Sequence, residues 1–258
     1  MKTPGARPTP IGIADAPGRR YRTLSIIIPC FNERATLATL VERVLASPVA
    51  LRKEIVVVDD GSTDGSADVV RSLVDTHRSA SATLVTAFHE RNRGKGAALR
   101  TGLAAATGDI VIVQDADLEY DPDDYPALVK PIVDGKAKVV YGSRWLNRHI
   151  NPPPPERRWF VVGNWIVTQI ANLLFDAHVT DNATCYKAFD AEVLKSLPLR
   201  CERFEFCPEV TARVRRQGHR IYEVPINYTP RSIAEGKKIR ARDGLEAIWT
   251  LVRCRFTR

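Results

Sequence analysis

Three carboxylates stand at alternating positions in residues 110–119, I-V-I-V-Q-D-A-D-L-E. Ile110–Gln114 has strand character, and Asp115, Asp117 and Glu119 follow it. Alternate residues of an extended chain point the same way. A backbone that stays extended past Gln114 therefore brings the three acids together. Convergent carboxylates raise one another's pKa unless a cation lies among them. A hard divalent ion with positions left open for a substrate's phosphates suits such oxygen ligands. The competing reading is an acidic loop that caps the next helix. Strand ends in open α/β sheets are where ligands bind, which favours the metal.

Two further stretches carry chemistry. Asp59-Asp60-Gly61-Ser62-Thr63-Asp64-Gly65-Ser66 follows an apolar run. Its glycines permit a tight turn, and Asp64 or Ser66 can cap the helix beyond. Asn92-Arg93-Gly94-Lys95-Gly96 opens a small-residue helix. Gly-Lys-Gly at a helix start has the form of a phosphate cradle, but P-loop spacing is absent and a plain tight turn is the favoured reading. The five histidines form no pair at ligand spacing, and the five cysteines contain no C-x-x-C.

The elements that must position these residues alternate. Leu24–Pro29, Glu54–Val58, Thr83–Phe88, Ile110–Gln114 and Lys138–Tyr141 are short apolar runs of the buried-strand kind. Between them lie amphipathic helices; Leu37, Leu40, Val41, Val44 and Leu45 form one apolar face. This β-α-β-α order predicts an α/β fold with a mostly parallel, Rossmann-like sheet flanked by helices. Asn151–Pro155, N-P-P-P-P, predicts a stiff loop. Trp159–Phe175 reads as an amphipathic helix that lies on a bilayer or packs on the body. Thr180–Phe189 reads as loop and strand, Glu205–Arg216 as helix and Arg220–Tyr228 as strand. A last helix carries Leu245, Ile248, Trp249, Val252 and Phe256 on one face.

With 258 residues, 44% hydrophobic and 26% charged, the chain has the composition of a globular protein. Its net charge of +8 is concentrated at the ends. We divide it into a basic N-terminal arm (1–22), a near-neutral body (23–230) and a basic C-terminal loop and helix (231–258). Basic ends imply an anionic partner, either phosphates or a membrane surface. No helix-turn-helix, RRM or zinc-finger pattern accompanies the charge, so nucleic acid is not the expected partner. No run has the length of a transmembrane helix. The odd cysteine count and lack of a signal peptide point to the cytosol, with peripheral placement at the inner membrane face.

I-I-I-P-C-F-N-E (26–33), V-V-D-D-G-S-T-D (57–64), G-K-G-A-A (94–98), D-A-D-L-E (115–119) and G-S-R (142–144) occur in that order. Together they resemble the inverting family 2 glycosyltransferases of GT-A fold. D-N-A-T-C-Y-K-A-F and the R-x-x-x-E-G-K-K tail resemble the polyprenyl-phosphate members, of which dolichyl-phosphate mannose synthase is the familiar one. The resemblance covers roughly residues 24–245, and it departs from relatives that carry transmembrane helices after the catalytic domain.

The resemblance implies a hexose donor of GDP-mannose or UDP-glucose type, Mg2+ or Mn2+ as cofactor, and a dolichyl or undecaprenyl phosphate acceptor. It places Pro29, Phe31, Glu33, Val58 and Asp60 around the base and ribose, with Lys95, Asp115, Ala116 and Asp117 completing the donor site. It makes Asp115, Asp117 and Glu119 the metal ligands. Arg144, Arg231 and Lys237 fall around the phosphates and Asp181 near the acceptor. Cleaving a sugar–phosphate bond builds charge on a nucleoside diphosphate, which metal and basic groups stabilise. A lipid phosphate is already largely anionic at neutral pH and attacks without a base. A sugar hydroxyl acceptor requires one, and Asp181 or Glu209 would have to serve. The alternatives are thus transfer to a soluble or saccharide hydroxyl, or a non-catalytic nucleotide-sugar binder.

Overall fold

The alternation of apolar runs and amphipathic helices is realised as layers in the computed structural model, which describes residues 21–76, 82–146, 158–231 and 241–257. The strands are β1 (Thr23–Cys30), β2 (Arg52–Asp59), β3 (Ala82–Phe88), β4 (Ile110–Val113), β5 (Val139–Ser143), β6 (Lys187–Asp190) and β7 (Tyr222–Pro225). They form one sheet in the order β3-β2-β1-β4-β6-β5-β7. The helices are α1 (Leu37–Ala46), α2 (Ser66–Thr76), α3 (Lys95–Ala105), α4 (Tyr125–Val133), α5 (Arg158–Phe175), α6 (Ala191–Ser196), α7 (Phe206–Arg216) and α8 (Ala241–Phe256).

β1 is apolar over Ile26–Pro29 because it is central and covered on both faces. Ile26 and Ile28 share a core with Leu40, Val41 and Val44 of α1, Val70 of α2 and Leu128 of α4. Ile27 points the other way, into a core with Val58, Leu99 of α3, Leu194 of α6 and Val210 of α7. Each such side chain contributes about 1.5–3 kcal/mol on burial. A third, smaller core joins Ala171 and Phe175 of α5, Ala212 of α7 and Leu251 and Cys254 of α8. The C-terminal helix is therefore packed against the body.

β2 and β3 lie to one side of β1 and β4 to the other. The chain reverses direction across the sheet between β1 and β4, and ligands bind at such a switch point, outside the carboxyl ends of the strands. Phe31, Glu33, Asp115 and Asp117 all follow those ends.

Several elements depart from the sequence reading. β6 runs antiparallel to both β4 and β5 and separates them. β4 stops at Val113, and Leu118 adopts a positive φ of 62°. The backbone therefore turns after Asp117 instead of continuing extended. β7 ends at Pro225, which has no N–H to extend the ladder; beyond it Tyr228 makes only an isolated bridge to Tyr120. Asp190 caps α6 by accepting from Glu192 N, a short helix the periodicity does not reveal. The Asn151–Pro155 loop, most of the 1–22 arm and Lys237 lie outside the described residues.

Candidate functional site

The chain leaves β4 into Asp115, whose carboxylate pairs with Lys95 Nζ from the first turn of α3. Lys95 Nζ also donates to Cys185 Sγ at 2.9 Å. Burial works to lower the Lys95 pKa, but the adjacent Asp115 outweighs it and holds the ammonium well above the ordinary range. Ala116 is buried, and its carbonyl accepts from Thr36 Oγ1 at 2.7 Å. Asp117 Oδ2 accepts from Arg231 Nη2 at 3.1 Å. Burial, then the charges of Asp115 and Glu119, push Asp117 up to about 7, against the pull of Arg231.

Glu119 is held elsewhere. Its Oε2 accepts from Tyr228 Oη and its Oε1 from the Arg231 backbone N, each at 2.7 Å. Among the described residues no three His, Cys, Asp or Glu side chains gather closely enough to hold a metal ion by themselves. The three acids thus do not form the cage that an extended backbone would give. Past the turn at Leu118 the Glu119 carboxylate is taken up by Tyr228 and the Arg231 backbone N.

From the β1 side, Glu33 meets Arg231 in a bidentate pair, with both oxygens 3.0 Å from the guanidinium nitrogens. Glu33 is seated by its own N–H, which donates to Ser66 Oγ at 2.9 Å. Pro29 and Phe31 lie at the end of the same strand, each partly exposed. Val58 is fully buried and packs toward α3, where the position of Gly102 leaves room for it. Its side chain belongs to the core.

Asp60 is buried and spends its oxygens on the next loop. It accepts from His89 Nδ1 at 2.6 Å, Arg93 N at 2.9 Å and Gly94 N at 2.8 Å. Gly94 has φ +96°, and a Cβ there would come 2.3 Å from the Glu202 carbonyl oxygen. Gly96 N and Ala97 N donate to the carbonyls of Arg203 and Glu202. The amides of Gly94, Gly96 and Ala97 are therefore taken, and Gly-Lys-Gly serves as a tight turn that delivers Lys95.

Asp181 is fully buried and lies under Arg144 at the end of β5. Its Oδ2 accepts from Arg144 Nε at 2.7 Å and Arg144 N at 3.2 Å; its Oδ1 accepts from Arg144 Nη2 at 2.8 Å and Asn164 Nδ2 at 3.1 Å. Burial alone would raise its pKa, but Arg144 and these bonds hold it low. Arg144 also stacks on the Tyr228 ring, 5.0 Å from its centre. Glu209 is likewise fully buried, accepting from Arg200 N, Cys201 N and Arg213 Nη2.

The structure thus joins Glu33, Asp117, Glu119 and Arg231 directly, pairs Lys95 with Asp115, and links Arg144–Asp181 to them through Tyr228. Sequence reasoning missed the roles of Tyr228 and Asn164 and took Ser66 only as a helix cap. Of the first two, Tyr228 had a signal: it continues the alternation of 220–228 beyond Pro225.

The Glycosyl transferase family 2 model matches residues 25–197. A UDP-N-acetylglucosamine–dolichyl-phosphate N-acetylglucosaminyltransferase from Methanococcus voltae is 30% identical over 234 residues, 84% of this chain and 91% of that protein. An undecaprenyl-phosphate 4-deoxy-4-formamido-L-arabinose transferase from Aeromonas hydrophila is 29% identical over 219 residues, 84% of this chain and 63% of that protein. Among solved structures, glucosyl-3-phosphoglycerate synthase from Mycobacterium tuberculosis, in complex with Mn2+, UDP and phosphoglyceric acid, superposes with a TM-score of 0.65 at 24% identity, over 92% of this chain and 80% of that one. The layered sheet, the carboxylates at its switch point and these matches agree: the chain is a glycosyltransferase of GT-A fold and belongs to glycosyl transferase family 2.

Proposed function

We propose that this protein transfers a sugar from a nucleoside diphosphate donor to a polyprenyl phosphate, with a divalent cation at Asp115 and Asp117. One observation carries the choice of acceptor. Asp181 and Glu209, the two carboxylates named as base for a hydroxyl acceptor, are both fully buried and hydrogen-bonded through both oxygens. A phosphate acceptor needs no base, because it is already ionised near neutral pH. The names of the two curated relatives, both transferases to polyprenyl phosphates, support the same class. Those names span N-acetylglucosamine and a formamido-arabinose, so they do not single out mannose among donor sugars.

The donor set fits a hard cation. Asp117 is pushed up to about 7 chiefly by burial and by its acidic neighbours, a strain that a divalent ion relieves. Bound there, Mg2+ or Mn2+ would supply Lewis-acid stabilisation of the departing diphosphate. Lys95, Arg144 and Arg231 add fixed positive charge for the phosphates. Pro29 and Phe31 offer an apolar floor and a stacking face for the base, and Asp60 shapes that pocket by holding the 93–94 loop. Lys237 would join the basic groups from the segment after Arg231.

A lipid acceptor calls for a membrane surface. No helix among the described residues is long and apolar enough to cross a bilayer. The outward stripes of α5 and α8 suit its interface, however: Trp165 and Leu173 are 61% and 83% exposed, and Leu245, Trp249 and Phe256 are 72%, 63% and 83% exposed. Arg242, Arg253 and Arg255 flank the α8 stripe, and basic residues gain about 1 kcal/mol each at an anionic surface. We place the protein at the cytoplasmic face. The deciding experiment incubates radiolabelled UDP- and GDP-sugars with undecaprenyl or dolichyl phosphate and Mn2+. Label in the organic phase supports the proposal; a water-soluble glycoside, or no turnover with any donor, overturns it.

A further inference from the structure

Arg231 bridges the carboxylates of two loops. Its Nη2 lies 3.1 Å from Asp117 Oδ2 and 3.0 Å from Glu33 Oε1, and its Nη1 lies 3.0 Å from Glu33 Oε2. One guanidinium thus ties the loop after β1 to the loop after β4. Its backbone is fixed independently: Arg231 N donates to Glu119 Oε1, and Glu119 is in turn oriented by Tyr228 Oη.

We propose that the Arg231 guanidinium is a built-in counter-cation of the carboxylate site, competing with the divalent ion for Asp117 so that the ion enters as the guanidinium leaves. This rests on the metal reading above. A cation coordinated to Asp117 Oδ2 sits about 2 Å from that oxygen, in the space a guanidinium bonded to the same oxygen must also use. Two like charges at that separation repel strongly in a partly buried site. The guanidinium has a second anchor in Glu33 and a backbone pinned by Glu119, so it can give up Asp117 and remain beside the site. There it would face the diphosphate whose charge the ion has helped to bring in. Glu119 is then a positioning residue for Arg231, whose backbone N it accepts from.

The test measures Mn2+ binding without nucleotide at pH 8, following free Mn2+ by electron paramagnetic resonance. Wild type, Arg231→Gln, Arg231→Lys and Asp117→Asn are compared, with melting curves to confirm that each is folded. Arg231→Gln should bind Mn2+ at least about tenfold more tightly than wild type. Arg231→Lys keeps the charge but cannot span Glu33 and Asp117, and should fall between the two. Asp117→Asn should abolish binding. A purely structural role for Arg231 predicts equal or weaker binding when it is removed. Equal or weaker Mn2+ affinity in Arg231→Gln, or wild-type affinity in Arg231→Lys, overturns the competition while leaving the metal reading intact, provided Asp117→Asn still abolishes binding. Absence of Mn2+ binding in every variant overturns both.

Discussion

Replacing Asp181 by Asn separates a structural carboxylate from a catalytic base. Asp181 is fully buried, with four donors on its two oxygens, three of them from Arg144. Arg144 itself is 18% exposed at its side chain. An asparagine keeps one acceptor oxygen and turns an amide NH2 toward a guanidinium that has lost its counter-charge. Removing one partner of a buried pair costs about 3–5 kcal/mol. At about 2–4 °C per kcal/mol for a chain of this size, the melting temperature should fall by roughly 6–20 °C. The sign with pH is also fixed. The folded pKa is depressed, so the pair's contribution is complete above the ordinary carboxylate range and is lost only as pH falls through the folded value. The stability gap between wild type and Asp181→Asn should therefore be constant from pH 6 to 8 and narrow only in strong acid. Calorimetric melts across that range, with pH–rate profiles of both proteins, make the measurement. An Asp181→Asn protein that melts within about 2 °C of wild type yet has lost turnover would refute this reasoning and restore Asp181 as a base.

Asp60→Ala should loosen the 93–94 loop, because each orphaned amide costs roughly 1–3 kcal/mol; calorimetry should show weaker nucleotide binding, and unchanged affinity would remove Asp60 from the pocket. Asp117→Asn should stabilise the metal-free protein at alkaline pH. A folded pKa raised to about 7 makes wild-type stability decline as pH climbs from the ordinary carboxylate range to 7 and level off above it, a loss of up to roughly 4 kcal/mol at 1.36 kcal/mol per pKa unit; parallel stability–pH curves for the two proteins would contradict it. Trp249→Ser with Phe256→Ser should weaken binding to anionic vesicles at least about tenfold, since each buried aromatic contributes about 1.5–3 kcal/mol, while leaving the melting temperature within about 2 °C; undiminished vesicle binding would exclude the α8 stripe as the contact.

The layered fold was legible because local signals and global architecture agree. β1, β2 and β4 are buried on both faces, so each carries a continuous apolar stretch, Ile26–Pro29, Ile55–Val58 and Ile110–Val113, and α1 shows its core face at helical spacing. β6 was harder, since nothing in K-A-F-D states that its partners run the other way. The site was legible by residue type more than by geometry. Alternation placed Asp115, Asp117 and Glu119 on one side of an extended chain, but the positive φ at Leu118 belongs to a non-glycine residue and leaves no mark in the sequence. Partners distant in the chain were equally hidden: Glu33 and Arg231 are 198 positions apart and pair only because β1 and the segment after β7 reach the same crevice.

These pairings also bear on the acceptor. Lys95 on Asp115, Arg231 on Glu33 and Asp117, and Arg144 on Asp181 bring three cations from α3, from after β7 and from β5 to one end of the sheet. Each is positioned by carboxylates; Arg144 holds Asp181 ionised, whereas burial and its acidic neighbours push Asp117 up to about 7. Such a site is well supplied with positive charge, and an ionised carboxylate locked in a bidentate pair, as Asp181 is with Arg144, is a weak base, because protonating it breaks the pair. Three phosphates meeting there, two from the donor and one from an acceptor, find the cations that their mutual repulsion requires. A neutral hydroxyl finds the cations, but the buried and paired Asp181 and Glu209 are not free to take its proton. Asp181, the carboxylate that fixes Arg144, is thereby removed from acid–base work, an arrangement compatible with the phosphate nucleophile proposed above.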